Sequence, residues 1–192
     1  MRRKETININ TPERYDEIYF GPRRIELRGR FYVGNLLKML FNGRVLDVGC
    51  GIGQYFNYLS ECSICGVDFS LKAIDEAKRE FPEADVRNCD LRTSSIPYED
   101  NFFDCVFAAE IIEHLECPEL LINDIKRVTK DGGLILITTP FEGMIGDTEH
   151  LWDFGESDFI EYGKQFSYYS LLRTDNPGNL RGSPAMIFIA QK

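Results

Sequence analysis

A chain of 192 residues, 43% hydrophobic and 28% charged, has the size and composition of one globular domain with a substantial core. Its net charge of −9 argues against a general nucleic-acid binder, which needs positive surface to neutralise phosphates. MRRK at the start has no apolar run behind it, and no segment approaches the roughly 20 apolar residues of a membrane span, so a cytoplasmic protein is expected.

The charge is uneven along the chain. Residues 1–44 carry ten Lys/Arg against five Asp/Glu, a balance of +5, which leaves −14 for residues 45–192. Arg23, Arg24, Arg28 and Arg30 can meet an anionic substrate or line a solvated helix face. Leu36, Leu37, Met39 and Leu40 end a helix that Asn42-Gly43 can cap. Val45–Val48 reads as a buried strand, Tyr55 to Leu59 as a short helix, and Ser63–Asp68 as a second strand. Ser70 suits the N-cap of a helix that buries Leu71, Ile74 and Phe81 and stops at Pro82. Ala84–Cys89 makes a weaker third strand, and Phe103–Ala109 a fourth.

Pro118 stands where a first helical turn accepts proline, and Leu121, Ile125 and Val128 follow at i, i+4, i+7. Gly132 is expected to end that helix, and Leu134–Thr139 to form a fifth strand. Strands alternating with helices, without polar alternation, imply a parallel sheet covered on both faces. Ser157 then begins a helix through Phe166. Tyr168–Thr174 and Ala185–Ala190 flank DNPGNLRGSP, a hairpin-loop composition, so the last two strands should pair antiparallel. With no repeats or linkers, residues 1–192 read as a single domain.

Cys50, Cys62, Cys65, Cys89, Cys105 and Cys117 lie mostly in apolar or strand-like stretches and read as reduced structural thiols. Cys62-Ser63-Ile64-Cys65 is formally a C-x-x-C, but no second pair stands at zinc-finger spacing. Two histidines, His114 and His150, are too few for a His-rich metal site, and no metal is expected.

VLDVGCGIGQY (45–55) is a glycine-rich turn at the end of the first strand, where open parallel sheets bind ligands. A dinucleotide fingerprint, G-x-G-x-x-G, fails in both registers, because Gln54 or Phe56 stands where the third glycine belongs. Asp47 points the same way: a carboxylate at the strand mouth opposes a pyrophosphate and favours the ammonium of a methionine moiety. Asp68, at the end of the second strand, can accept both hydroxyl hydrogens of a ribose; the alternative is a loop residue before Ser70. Asp90 can take an adenine amino group or form a turn.

This segment resembles motif I of the class I S-adenosylmethionine (SAM)-dependent methyltransferases. The resemblance continues through GVDFS (66–70), IPYEDNFFDCVFAAEIIEHL (96–115) and INDIKRVTKDGG (122–133), landmarks of the small-molecule, ubiquinone/menaquinone-biosynthesis-like (type 11) group. It implies a Rossmann-like, doubly wound seven-stranded sheet of order 3-2-1-4-5-7-6, with the seventh strand antiparallel. It implies SAM as cofactor and S-adenosyl-L-homocysteine as product. Asp47, Gly49, Cys50 and Gly51 would line the methionine end, with Gly53 shaping the turn. Asp68 and Phe69 would hold the ribose side, Asp90 and Leu91 would flank adenine, and Ala109 and Glu110 would lie beside the methionine portion. Thr129 and Asp131 replace the Leu and Pro common in the turn before strand five.

The implied reaction places an acceptor oxygen or nitrogen in line with the methyl group and keeps water out. With no metal-binding constellation visible, metal-independent transfer is expected. The resemblance makes residues 1–40 an N-terminal helical cap and 140–166 an acceptor-side lid. TPERYDEIYF (11–20) resembles a helix that covers the cofactor in family members, so Tyr15 and Tyr19 either cover it or dock the helix onto the core. In TPFEGMIGDTEHLWDF (139–154), His150 matches a family histidine and is the candidate base or acceptor-orienting residue, or else an exposed loop histidine. Trp152 belongs to an acceptor pocket or to lid packing. His114 matches a family position too, its alternative being helix-start packing.

Ala108-Ala109-Glu110-Ile111 replaces the D/N/S-P-P-Y/F of nucleic-acid amino-methyltransferases, and no Pro-Cys dipeptide serves a cytosine-C5 enzyme. With the acidic charge, a small-molecule acceptor is expected, with neither nucleic acid nor membrane as partner. The competing reading is a SAM-binding regulatory or scaffold subunit without independent activity.

Overall fold

The computed structural model describes residues 2–3, 10–20, 29–140, 150–174 and 185–192. Arg23, Arg24 and Arg28, residues 141–149 of the expected lid, and DNPGNLRGSP lie outside them. The helices are α1 (Pro12–Phe20), α2 (Gly29–Leu40), α3 (Leu71–Glu80), α4 (Pro118–Val128) and α5 (Glu156–Gly163). The main strands are β1 (Arg44–Val48), β2 (Ser63–Asp68), β3 (Asp85–Asn88), β4 (Phe103–Ala109), β5 (Thr129–Pro140), β6 (Tyr168–Thr174) and β7 (Ala185–Gln191). They form one seven-stranded sheet, ordered β3-β2-β1-β4-β5-β7-β6. β3, β2, β1, β4 and β5 pair parallel, and β7 runs antiparallel to both β5 and β6. The expected Rossmann-like order and the terminal antiparallel hairpin are both present.

Alternation within the strands distributes the core. Leu46, Val48, Val106, Ala108, Ile135 and Ile137 meet α4 and α5 through Leu121, Ile122, Ile125 and Phe159. The intervening Val45, Cys105, Phe107 and Leu136 meet α2 through Val33 and Leu37. Full burial of each Val, Leu, Ile or Phe among these contributes about 1.5–3 kcal/mol. Ser70 caps α3 as expected, its hydroxyl accepting from Ala73 N at 3.0 Å.

Several boundaries differ from the sequence reading. α4 ends at Val128, not at Gly132, because Thr129 is already extended and pairs with Phe103. The Thr129 hydroxyl donates to Ile125 O at 2.7 Å, and Gly132 (φ +78) falls where the β4–β5 register shifts. α5 starts one residue early, with the Asp158 carboxylate accepting from Gly155 N, and stops at Gly163. The short helix after the glycine turn is a single 3-10 turn, Phe56–Leu59.

Because five strands run parallel, Asp47, Asp68, Asn88, Ala109 and Pro140 all reach the same carboxyl edge. α1 is the described helix that joins that edge from outside the sheet layers. Arg2–Arg3 pairs antiparallel with Trp152–Asp153 in a two-residue ribbon nearby. No helix among the described residues is long and apolar enough to cross a membrane.

Candidate active site

The glycine turn leaves β1 with Gly49, Gly51 and Gly53 at φ +79°, +52° and +78°. Only glycine takes this backbone without a Cβ penalty. Gly49 N and Cys50 N both donate to Val67 O, at 2.8 and 3.0 Å, which stitches the turn to β2. The adjoining space is already used: a Cβ on Gly49 would lie 2.7 Å from Ile111 Cδ1, and one on Gly51 would lie 2.6 Å from Tyr19 Oη.

Asp68 is the acidic centre of this half. Its Oδ2 accepts from Gly51 N at 2.8 Å and its Oδ1 from Ser70 N at 2.9 Å. Burial lifts its carboxyl above the ordinary value against these backbone donors, and nearby Asp16 adds to the rise. Asp47, 2% exposed, lies behind the turn. Burial, then Asp47 and Asp68, push the Cys50 thiol well up, so Cys50 packs and does not act as a nucleophile. All six cysteines are free thiols.

Beyond β3, Leu91 packs half-buried against the core. The Asp90 carboxylate is held at both oxygens by Arg92, with Oδ1–Nε 2.8 Å and Oδ2–Nη2 2.7 Å, and this ion pair lowers its pKa. The group that the resemblance assigns to adenine is thus engaged by Arg92, which also donates to Asn10 O.

α1 lies across this edge. Tyr19 rests on Gly51, while the Tyr15 ring meets Phe69 edge-on at 5.3 Å and His114 at 5.9 Å. Asp16 and the Ser70 hydroxyl are hydrogen-bonded, fastening α1 to the start of α3. Both tyrosines dock α1 onto the rest of the domain, at the glycine turn, Phe69 and His114.

A second group of side chains begins at the end of β4, with Ala109 and Glu110. Glu110 is exposed and left-handed at φ +57°, a costly backbone for a residue with a side chain. Its N donates to Thr138 O at 3.0 Å, and its Oε1 accepts from Thr138 Oγ1 at 2.8 Å. A 3-10 turn, Ile112–His114, then carries Glu113 inward to 1% exposure. Glu113 Oε2 accepts from Thr139 Oγ1 at 3.1 Å, and Glu113 Oε1 stands 3.7 Å from His114 Nε2 and 4.0 Å from His150 Nε2. The two imidazoles are 4.9 Å apart between centroids. Leu151 N donates to Glu113 O at 2.8 Å, which fixes the chain around His150.

His150 is therefore buried and not an exposed loop histidine, and it meets His114, 36 positions away. Trp152 takes a packing place: its indole N–H donates to Leu115 O at 2.8 Å, and Arg3 lies 5.8 Å from its ring. Sequence reasoning did not select Glu113, although a lone acid inside I-I-E-H-L is a visible signal. Nor did it assemble Glu113, His114 and His150, whose ligand atoms lie within 4.8 Å of one another. The expectation of no metal-binding constellation counted histidines along the chain, and the return of the segment after β5 to the 3-10 turn brings them together.

Residues 46–137 match a family model described as a methyltransferase domain. An uncharacterized methyltransferase of Schizosaccharomyces pombe is 34% identical over 156 residues, covering 73% of this chain and 50% of that protein. A tRNA (carboxymethyluridine(34)-5-O)-methyltransferase of Arabidopsis thaliana is 32% identical over 113 residues, 55% of this chain and 26% of that protein. Among solved structures, Haemonchus contortus phosphoethanolamine N-methyltransferase 2 in complex with SAM superposes with a TM-score of 0.69. Its identity is 18%, over 94% of this chain and 56% of that one, and so it speaks for the fold. The chain spans about half, or less, of the length of these curated relatives.

Proposed function

Because the chain belongs to the class I SAM-dependent methyltransferases, we propose that it transfers a methyl group from SAM to an oxygen or nitrogen of a small-molecule acceptor. The observation that carries this reading is the Asp68 carboxylate, fixed against the glycine turn by Gly51 N and Ser70 N. A carboxylate has about four lone-pair directions, so acceptor capacity remains for ribose hydroxyls. The surrounding residues fit the cofactor. Left-handed glycines leave the turn with backbone groups and no side chains of its own at those positions, and buried Asp47 and Asp68 suit a ligand carrying ammonium and sulfonium charge.

When bound, SAM supplies a methyl group on a sulfonium, an activated leaving group. This chain's residues do the rest in our reading. Asp68, beside Phe69, holds the ribose; Asp47, Gly49, Cys50 and Gly51 border the methionine end, and Gly53 shapes the turn. Asp90 and Leu91 flank adenine, with Arg92 sharing the edge. α1 keeps water from the turn through Tyr15 and Tyr19. Ala109 and Glu110 lead to the acceptor side at His114 and His150. Positioning and water exclusion are what such a transfer asks of a protein.

The −14 balance of residues 45–192 supports a small acceptor over a polyanion. A nucleic-acid acceptor is the second reading, favoured by the Arabidopsis relative that acts on tRNA. Asp68→Ala should weaken SAM binding by about 2–3 kcal/mol, the range for a charge-assisted hydrogen-bonding group. Calorimetry on folded protein would detect it, and an unchanged affinity would refute the role of Asp68. Labelled SAM offered with metabolites and with tRNA then separates the acceptor classes. Silent binding with every acceptor would favour a regulatory subunit.

A further inference from the structure

We propose that Glu113, His114 and His150 form a binding site for one divalent transition-metal ion, beside the cofactor groove and facing the acceptor. The argument is geometric. Such ions hold imidazole nitrogen and carboxylate oxygen at about 2.0–2.2 Å, so two donors on one tetrahedral ion lie roughly 3.3–3.6 Å apart. Glu113 Oε1 stands 3.7 Å from His114 Nε2 and 4.0 Å from His150 Nε2, so small side-chain rotations close the site on an ion. The three residues offer their donor atoms within one 4.8 Å cluster.

The donor set is chemically specific. Two imidazoles and one carboxylate, with positions left open, make the donor set of catalytic zinc and non-haem iron centres; hard Mg²⁺ and Ca²⁺ prefer all-oxygen cages. The supporting contacts orient the donors. Thr139 Oγ1 binds Glu113 Oε2, which leaves Oε1 as the oxygen turned toward both histidines. Leu151 N on Glu113 O and Asn10 Nδ2 on His114 O, at 2.8 and 3.1 Å, hold the two histidine segments by their backbones. Neighbouring hydrogen bonds of this kind fix metal ligands in place.

The site borders the glycine turn and Phe69 through two side chains. Ile111, between Glu110 and Glu113, lies against Gly49, and Tyr15 touches both Phe69 and His114. Resting on the methyltransferase reading above, the ion selects a hydroxyl acceptor. Coordination at an open position acidifies the acceptor O–H, and its proton leaves to water. The O–CH3 bond then forms as the S–CH3 bond breaks, and the electron pair of that bond stays on sulfur. His150 becomes a ligand in this arrangement, in place of the base expected from sequence.

The test uses the whole chain, stripped with chelator and titrated with Co²⁺, Zn²⁺ and Mn²⁺ by calorimetry, with the visible absorption of Co²⁺ as a second readout. SAM affinity is measured on the same samples. We expect one equivalent of Co²⁺ or Zn²⁺ and a visible Co²⁺ band. His150→Ala and Glu113→Gln should each weaken metal binding at least about tenfold while SAM affinity stays within twofold. Wild-type protein that binds SAM but takes up no stoichiometric metal overturns the proposal, whatever the variants do. So does metal uptake that both substitutions leave unchanged. Metal uptake without SAM binding would instead refute the function proposed above and leave the metal site standing.

Discussion

The glycine-turn half of the carboxyl edge, to which our reading gives the ribose and methionine ends of the cofactor, comes from one stretch, residues 47–70, held by main-chain hydrogen bonds, whereas the half we assign to the acceptor is gathered from segments far apart and held by side chains. In the first, Val67 O takes two turn N–H groups and Asp68 takes those of Gly51 and Ser70. In the second, Thr138, Thr139, Glu110, Glu113, His114 and His150 meet across two strand ends and a returning segment. A main-chain cradle tolerates few residue types because φ decides them, and it can serve one cofactor unchanged. A side-chain cluster changes chemistry with one substitution, which suits the half that must recognise the acceptor.

The sharpest break between the halves is Gly49→Val. A β-branched residue at φ +79°, with Cβ 2.7 Å from Ile111, should cost about 2–4 kcal/mol in urea unfolding. SAM affinity should fall by about a hundredfold, on the order of 3 kcal/mol. Normal affinity would mean that the turn is not the cofactor cradle.

Tyr15→Ala tests whether the halves communicate, since one ring touches Phe69 and His114. Loss of such ring contacts is worth about 1 kcal/mol, roughly fivefold. It should appear in both SAM affinity and the KM for acceptor, and a change in only one would show α1 serving a single half.

The smallest effect is a control at the opposite edge. Asp104 is ion-paired with Lys130 at 2.6 Å and accepts from Arg44 N at 2.8 Å. Lys130 first, then Arg44 N, holds its pKa below the ordinary value. Its stabilisation is therefore complete above the unfolded carboxyl value, about 3.9, and disappears as pH falls through the folded one. Asp104→Asn should cost under about 1 kcal/mol at neutral pH, because the pair is partly exposed. Urea midpoints of variant and parent should converge as pH falls below the ordinary carboxyl range, with SAM affinity unmoved at neutral pH.

Legibility in the sequence follows the same division. β1, β2 and β4, the Ser70 cap and the glycine turn were readable because apolar runs, caps and left-handed positions are local signals. The end of α4 was not. Gly132 is a strong local stop, but the Thr129 hydroxyl and pairing with Phe103 end the helix four residues sooner. Asp90 reads as an adenine contact or a turn former, and its ion pair with Arg92, two residues on, was not part of either reading. Glu113 was the harder case. Its role depends on Thr139 and on a segment that returns after β5, and no window of sequence contains both.

The Ser70 hydroxyl has a thermodynamic consequence beyond its position. One oxygen accepts from Ala73 N, starting α3, and is bonded to Asp16 of α1. Two elements thus draw on a single atom, so their stabilities are not additive. Loosening α1 weakens the first turn of α3, and fraying α3 releases α1. The cover over the glycine turn and the helix beside it are therefore expected to lose protection against hydrogen exchange together.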